Sequence, residues 1–294
     1  MNCSRRSRAG SIAIADVDPV DEASVPGAEP DAPARLDSAL AERGLARSRT
    51  HAARLIADGV VRVDGASALR ASQRVSAKSQ IEVEAADHYV SRAAHKLLAG
   101  LEAFDVVVSD RSALDVGAST GGFTQVLLER GARAVIALDV GHDQLATEIA
   151  ADPRVTVIEG FNAREMSAAS LAASGAALDG ALPDLVVADL SFISLSLVLP
   201  ALVATVGTSA DFVLLVKPQF EVGRVREGVV RDAGLRADAV TGVLWSAWDV
   251  GLGTKGVISS PILGGAGNRE YVVHLSGSGA NPTEWLEYVS MLSR

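Results

Sequence analysis

Cysteine is almost missing from this 294-residue sequence: Cys3 is the only one. That excludes an internal disulfide framework and any metal cluster built on cysteine, and it suits a reducing cytoplasm. It also removes the nucleophile that methylation at carbon 5 of a pyrimidine requires. No apolar run reaches the length of a membrane span, so a cytoplasmic protein with no membrane requirement is expected. Arg5, Arg6 and Arg8 near the start are not followed by an apolar core, since Asp16 and Asp18 interrupt the short Ser11–Ala15 run, so a secretion signal is not expected. A positive charge balance is missing too. The net charge is −9, which on its face argues against a nucleic-acid partner.

The charge is unevenly spread. Residues 1–33 hold three basic and six acidic side chains, whereas residues 34–86 hold nine basic and six acidic ones. Only that second segment offers a foothold for a polyanion. Residues 1–33 are rich in Ala, Asp, Pro and Gly without apolar periodicity and read as a disordered leader. From residue 34 a compact α+β unit is expected to run to 86. Leu36, Ala39 and Leu40 share a helical face that Gly44 ends, and Ser48 caps a second helix buried through Ala52, Leu55 and Ile56. Val60–Val63, Val75 and Ile81–Glu84 supply short strands. Arg47, Arg49 and Arg54 stay outside the buried stripe of the second helix.

After a linker at 87–90, the third expected unit runs from 87 to 294. Ser91 caps a helix reaching about Phe104, in which Ala94, Leu97, Leu98 and Leu101 face inward and Lys96 lies off the apolar face. From Ala113 onward strands and helices alternate. Strands are expected at 114–116, 134–139, 155–159, 185–189 and 212–217, with helices at 122–130, 144–150 and 233–250 and a closing antiparallel pair at 256–261 and 270–275. Apolar strands alternating with helices predict an α/β, Rossmann-like, mostly parallel sheet covered on both faces. Ligands bind such sheets at the carboxyl ends of strands near the switch point.

Asp115-Val116-Gly117-Ala118-Ser119-Thr120-Gly121-Gly122-Phe123-Thr124 falls at such an end. A dinucleotide fingerprint would have its second glycine where Ser119 stands. Asp115 instead suits a cationic ligand such as S-adenosylmethionine (SAM), which carries an ammonium and a sulfonium and no phosphate. Asp139, at the next strand end, can accept ribose hydroxyls, as it would for either cofactor. At the fourth strand end the sequence reads Ala188-Asp189-Leu190-Ser191 and lacks the Asn/Asp-Pro-Pro-aromatic motif that holds a flipped base for amino methylation. Lys217 ends the fifth strand and Glu270 begins the last. Singly, Lys96, Asp189, Lys217 and Glu270 would be surface ion-pair members. As a set around one turn they suit alignment of a weakly acidic hydroxyl for methyl transfer, its deprotonation, and stabilisation of the oxyanion. Lys217 is expected nearest the hydroxyl, positioned by Asp189.

From about Arg35 to Leu275 the chain resembles the TlyA family, also called haemolysin A, in which an S4 RNA-binding domain precedes an FtsJ-like ribosomal RNA 2′-O-methyltransferase. The matching runs include the S4-like pattern from Arg35 to Gly65, Val90-Ser91-Arg92 with His95-Lys96-Leu97, residues 115–124, ADLSFISL at 188–195, VKPQFEVGR at 216–224 and Gly267-Asn268-Arg269-Glu270. The resemblance implies a class I SAM-dependent methyltransferase with a seven-stranded sheet, acting on cytidine ribose in ribosomal RNA. The sequence itself does not give the oligomeric state; a monomer with no metal is the expectation. The resemblance puts the family's Lys-Asp-Lys-Glu tetrad on Lys96, Asp189, Lys217 and Glu270. It puts the SAM contacts on Asp115, Gly117, Ser119, Gly121, Gly122, Phe123, Asp139 and Asn162, and RNA contacts on Arg35, Arg47, Arg49, Arg54, Arg62 and Arg92. The chain departs from the family at the leader, at His142-Asp143-Gln144-Leu145, at Phe161-Asn162-Ala163-Arg164 and in the Glu227–Val230 loop. A non-catalytic ribosome-associated factor, a membrane-active haemolysin and an NAD oxidoreductase are the competing readings.

Overall fold

The computed structural model describes residues 33–294 apart from 47, 58, 69, 84–87, 175–181, 224–227 and 266. The expected leader and Arg47 therefore lie outside the described residues, as does the side chain of Arg54.

The first unit opens with β1 (Ala34–Arg35), α1 (Leu36–Glu42) and α2 (Arg49–Ala57), followed by β2 (Val61–Val63), β3 (Ala66–Ser67), β4 (Arg74–Val75) and β5 (Ile81–Val83). Gly44 takes the left-handed conformation just after α1, with φ +70°, where a side chain would be strained. Ser48 caps α2 by accepting the His51 N–H at 3.1 Å. β2 is the centre of a three-stranded antiparallel sheet, while β1 pairs with β4. Leu36, Leu40, Ala52, Ile56, Val61 and Val75 form a core of their own.

The second unit contains α3 (Ala93–Ala103), β6 (Ser112–Val116), α4 (Gly122–Glu129), β7 (Ala134–Leu138), α5 (Thr147–Ala150), β8 (Val155–Ile158), α6 (Ala168–Ala173), β9 (Leu185–Ala188), α7 (Leu199–Val206), β10 (Asp211–Val216), α8 (Pro218–Glu221), α9 (Ala233–Asp249), β11 (Gly253–Ser259), β12 (Tyr271–Ser276) and α10 (Leu286–Leu292). Seven strands form one sheet in the order β11-β12-β10-β9-β6-β7-β8. Neighbours from β10 to β8 are parallel, and β12 runs antiparallel to both β10 and β11. β9 is wholly apolar, β6 adds Ser112 and Asp115 to apolar residues, and both strands are buried throughout because helices cover both faces. On one face Leu97, Leu101, Phe123 and Leu127 meet Val135, Val213 and Val272. On the other, Leu199, Leu202, Val240 and Leu244 meet Ile136, Val186 and Leu214.

The chain leaves β6 toward β7 and β8 and then returns to β9 on the other side of β6. That reversal is the switch point, and it places the carboxyl ends of β6 and β9 side by side. One expected helix is much shorter than its sequence suggests: residues 144–146 precede α5 rather than belonging to it. Gln144 folds back over Gly141, where even a methyl group would collide with it, and the Ala146 N–H is given to the Thr120 carbonyl of the glycine turn. Among the described residues no helix is long and apolar enough to cross a membrane.

Candidate active site

The glycine turn needs backbone shapes that ordinary residues avoid. Gly117 has φ +83° and Gly121 φ +97°. A Cβ on Gly117 would lie 3.0 Å from the Asp189 carbonyl oxygen and 3.2 Å from the Leu190 side chain. The two strand ends at the switch point thus touch because residue 117 lacks a side chain. A Cβ on Gly122 would sit 2.9 Å from that of Ser91, so α4 begins pressed against the segment leading into α3. Ser119, also left-handed at φ +47°, gives its N–H to Asp139 Oδ2 at 2.8 Å, and Asp139 Oδ1 accepts from the Gly141 N–H at 2.7 Å. A carboxylate has about four acceptor positions, so Asp139 organises both turns and keeps capacity for a ligand.

Beside the turn lies a cavity of about 600 Å³, lined by Gly117, Ser119, Asp139, Phe161, Asn162 and Asp189 among others. A smaller one of about 130 Å³ adjoins it and shares Gly117, Ser119, Asp189 and Ser191; Ser91, Gly122, Phe123 and Lys217 complete its wall. Such a volume suits a cofactor-sized ligand. Asn162 reaches the larger cavity while capping a short 3-10 turn, accepting the Arg164 N–H at 3.1 Å. Asp115 lies beneath the turn and lines neither cavity. It is wholly buried, accepts the Thr124 hydroxyl at 2.6 Å through Oδ2, and has no partner at Oδ1. Burial pushes its carboxyl up to about 7, against the Thr124 hydrogen bond that holds it down, and the negative charge of Asp189 adds to the rise.

The structure brings the four candidate catalytic residues together as two ion pairs. Lys96 was expected off the apolar face of its helix, yet it is only 8% exposed, and its Nζ donates to Glu270 Oε2 at 2.6 Å. The cause is Gly100, one turn further along α3. A Cβ there would come within 2.7 Å of Val272, so its absence lets the helix settle onto β10 and β12. Lys217 Nζ lies 2.5 Å from Asp189 Oδ1, an ionic contact without hydrogen-bond alignment, and donates to Ser191 Oγ at 2.8 Å. The two pairs are neighbours in the sheet: Tyr271 pairs with Val216, which sets Glu270 beside Lys217.

Several residues at the site carry no sequence signal strong enough to single them out. Phe192 is 91% exposed with φ +67°, and its ring lies 5.3 Å from that of Phe220, which in turn lies 6.0 Å from the Lys217 ammonium. Asn268 is buried and holds Gly228 and Val230 through its amide, accepting the Val230 N–H at 2.9 Å and donating to the Gly228 carbonyl at 2.9 Å. The predicted RNA-facing arginines are only partly gathered. Arg35 and Arg49 converge on Asp37 at 2.9 and 3.4 Å, and both remain well exposed. Arg62 reaches the Gly65 carbonyl at 3.5 Å. Arg92 stands apart from them and donates to the Ala57 carbonyl at 3.1 Å, joining the two units. No group of three or more metal-binding side chains occurs among the described residues.

Comparison with known proteins agrees with this fold. The FtsJ-like methyltransferase family model matches residues 89–276, and the S4 domain model matches residues 34–81. The chain is 49% identical over 247 residues, 82% of its length and 89% of the relative's, to the 16S/23S rRNA (cytidine-2'-O)-methyltransferase TlyA of Mycobacterium tuberculosis (strain H37Rv). It is 36% identical over 243 residues, 82% of its length and 98% of the relative's, to Hemolysin A of Brachyspira hyodysenteriae. A solved structure of a hemolysin candidate from Streptococcus thermophilus, 34% identical, superposes with a TM-score of 0.68 over 88% of this chain and 95% of that one. Family and fold together imply S-adenosylmethionine as methyl donor. The chain belongs to the FtsJ-like methyltransferase family, with an S4 domain ahead of its catalytic fold.

Proposed function

We propose that this protein methylates a ribose 2′-hydroxyl, that of a cytidine, in ribosomal RNA. The observation that carries the reading is the pair of ion pairs: Asp189–Lys217 in the wall of the smaller cavity, and Lys96–Glu270 next to it in the sheet. A relative 49% identical over most of its length is a 16S/23S rRNA (cytidine-2'-O)-methyltransferase.

The residues present fit the methyl donor. Gly117, Ser119, Asp139 and Asn162 line the larger cavity, Gly122 and Phe123 the smaller, Gly121 shapes the turn, and Asp115 holds an unpaired carboxylate oxygen beneath it. When bound, the cofactor supplies an electrophilic methyl carbon on a cationic sulfur. The chain's own groups then do the rest. Lys217 has three N–H donors, one of which is spent on Ser191, so the ammonium can also hold the acceptor hydroxyl. Asp189 fixes that ammonium and adds negative charge near a sulfonium. The two lysines, as ammonium groups, stabilise negative charge developing on the ribose oxygen while its proton passes to water. Phe192, exposed beside this rim, offers a flat face to a base turned out of its stack. Arg35, Arg49, Arg62 and Arg92, with Arg47 and Arg54, would hold RNA phosphates. The protein would act in the cytoplasm as a monomer, with no membrane.

The test is transfer of labelled methyl from SAM into purified ribosomal subunits, followed by mass mapping of the modified nucleotide. Label on a ribose of ribosomal RNA is the expected result; label on a base removes the sugar assignment.

A further inference from the structure

Two segments follow the strand ends that carry Asp189 and Lys217, and they are joined at four successive levels. Asp189 meets Lys217; Ser191 accepts from Lys217; Phe192 packs on Phe220; and Glu221 takes the last level. There Glu221 Oε2 accepts the Ser194 hydroxyl at 2.5 Å, and Oε1 accepts the Leu195 N–H at 2.8 Å. Ser194 Oγ in turn accepts the Ser196 N–H at 3.1 Å, so the carboxylate also seats the 3-10 turn at Leu195–Leu197.

Phe192 lies between the anchors. It is the one residue of this segment in the left-handed region, a conformation that an aromatic residue holds only when its surroundings enforce it. Its ring is 91% exposed and lies 5.3 Å from that of Phe220, too little contact to hold the backbone, so the enforcement comes from the chain on either side. On one side is Asp189 against Lys217. On the other, two and three residues on, are Ser194 and Leu195 against Glu221. We infer that Glu221 is a positioning residue, a latch that fixes the segment 189–195 against 217–221 and so holds Phe192 and Ser191 in register with Lys217 for the acceptor nucleotide. The inference rests on the methyl-transfer reading for its functional half, and on the two hydrogen bonds alone for its structural half.

Glu221 itself lines neither cavity, whereas the segment it fixes gives Asp189, Leu190, Ser191, Phe192 and Ile193 to the larger one; the facing wall at Asp139, Phe161 and Asn162 is held by its own hydrogen bonds, so turnover should suffer more than cofactor binding. In Glu221→Ala, hydrogen exchange at the Leu195 amide and through 190–196 should accelerate, while SAM affinity by calorimetry stays within about twofold and kcat on ribosomal subunits falls about 10- to 100-fold. Glu221→Gln should recover most of the rate. Its carbonyl oxygen can still accept from Leu195, and its amide can donate to Ser194, reversing that bond. Unchanged exchange at Leu195 in Glu221→Ala overturns the latch whatever the activity does. A wild-type kcat in that variant, or a rate loss matched by an equal loss of SAM affinity, overturns the positioning role. A wild-type protein that transfers no methyl to ribosomal RNA defeats the methyl-transfer reading instead, and the exchange measurement then still decides the latch.

Discussion

Lys96 on α3 and Glu270 before β12 are separated by 174 positions in sequence and by 2.6 Å in space, and both are almost fully buried. Removing one partner of such a pair leaves a charge without compensation, at a cost of about 3–5 kcal/mol, whereas removing both costs far less than the sum. Lys96→Met and Glu270→Gln should each lower stability by that order, and the double variant should recover a large part. Urea unfolding of the four proteins gives the coupling energy directly. Additive losses would show that the two charges do not support each other.

In the proposed reaction Lys217 touches the acceptor oxygen, and of the two cavities it lines only the smaller. Lys217→Ala should keep SAM binding by calorimetry and lose transfer by about 100-fold or more in single-turnover assays. Near-normal transfer would remove Lys217 from the chemistry.

Asp115 makes the ligand-free protein sensitive to pH near neutrality. Burial raises its carboxyl from 3.8 to about 7. Between about pH 4 and 7 the folded chain holds a proton that the unfolded chain has released, so stability falls as pH rises through that window and levels off above it. Asp115→Asn should flatten that slope and raise Tm at pH 8, as read from melting curves between pH 4 and 8. If a cationic ligand sits near the free Oδ1, SAM affinity of the native protein should increase as pH rises toward 7, and that dependence should vanish in the variant.

Asp211, at the amino end of β10, is a carboxylate shifted the other way. Burial pushes Asp211 up, but the hydrogen bond from His274 at 2.9 Å and then those from Arg111 outweigh it, leaving its carboxyl below the usual range. That contribution is present above the ordinary carboxylate range and is lost as pH falls through the lowered value. Asp211→Asn should therefore cost stability at pH 7 and little in strong acid, a difference that acid titration of the unfolding transition measures. Equal destabilisation at both ends would show that the loss is one of packing.

The sheet was legible because strands such as β7 and β9 are apolar runs alternating with helices, and the glycine turn was legible because positions 117 and 121 need backbone shapes that few residues supply. Lys96 was the instructive difference. Its helical face looked solvent-bound because the periodicity of one helix does not report how near a sheet lies; that depended on Gly100, whose missing Cβ meets Val272. The segment before α5 was misjudged for a related reason, since Gln144 folds onto Gly141, a contact set by tertiary structure. Glu221 reads in sequence as one more charge on a short helix. Its importance appears only when the chain after β9 is laid beside the chain after β10.

β12 runs against its neighbours, so a residue at its beginning reaches the rim where the other strands finish. The order of synthesis follows from that direction. On a growing chain the S4 domain and the glycine turn emerge early, and Lys96, Asp189 and Lys217 are all synthesised before the strand that fixes Glu270. Until then Lys96 has no counter-charge and β10 lacks its antiparallel neighbour. Under the proposed reaction a nascent chain would display its S4 domain before its set of four charged residues is complete, and the turn from β11 into β12 would set the moment of completion.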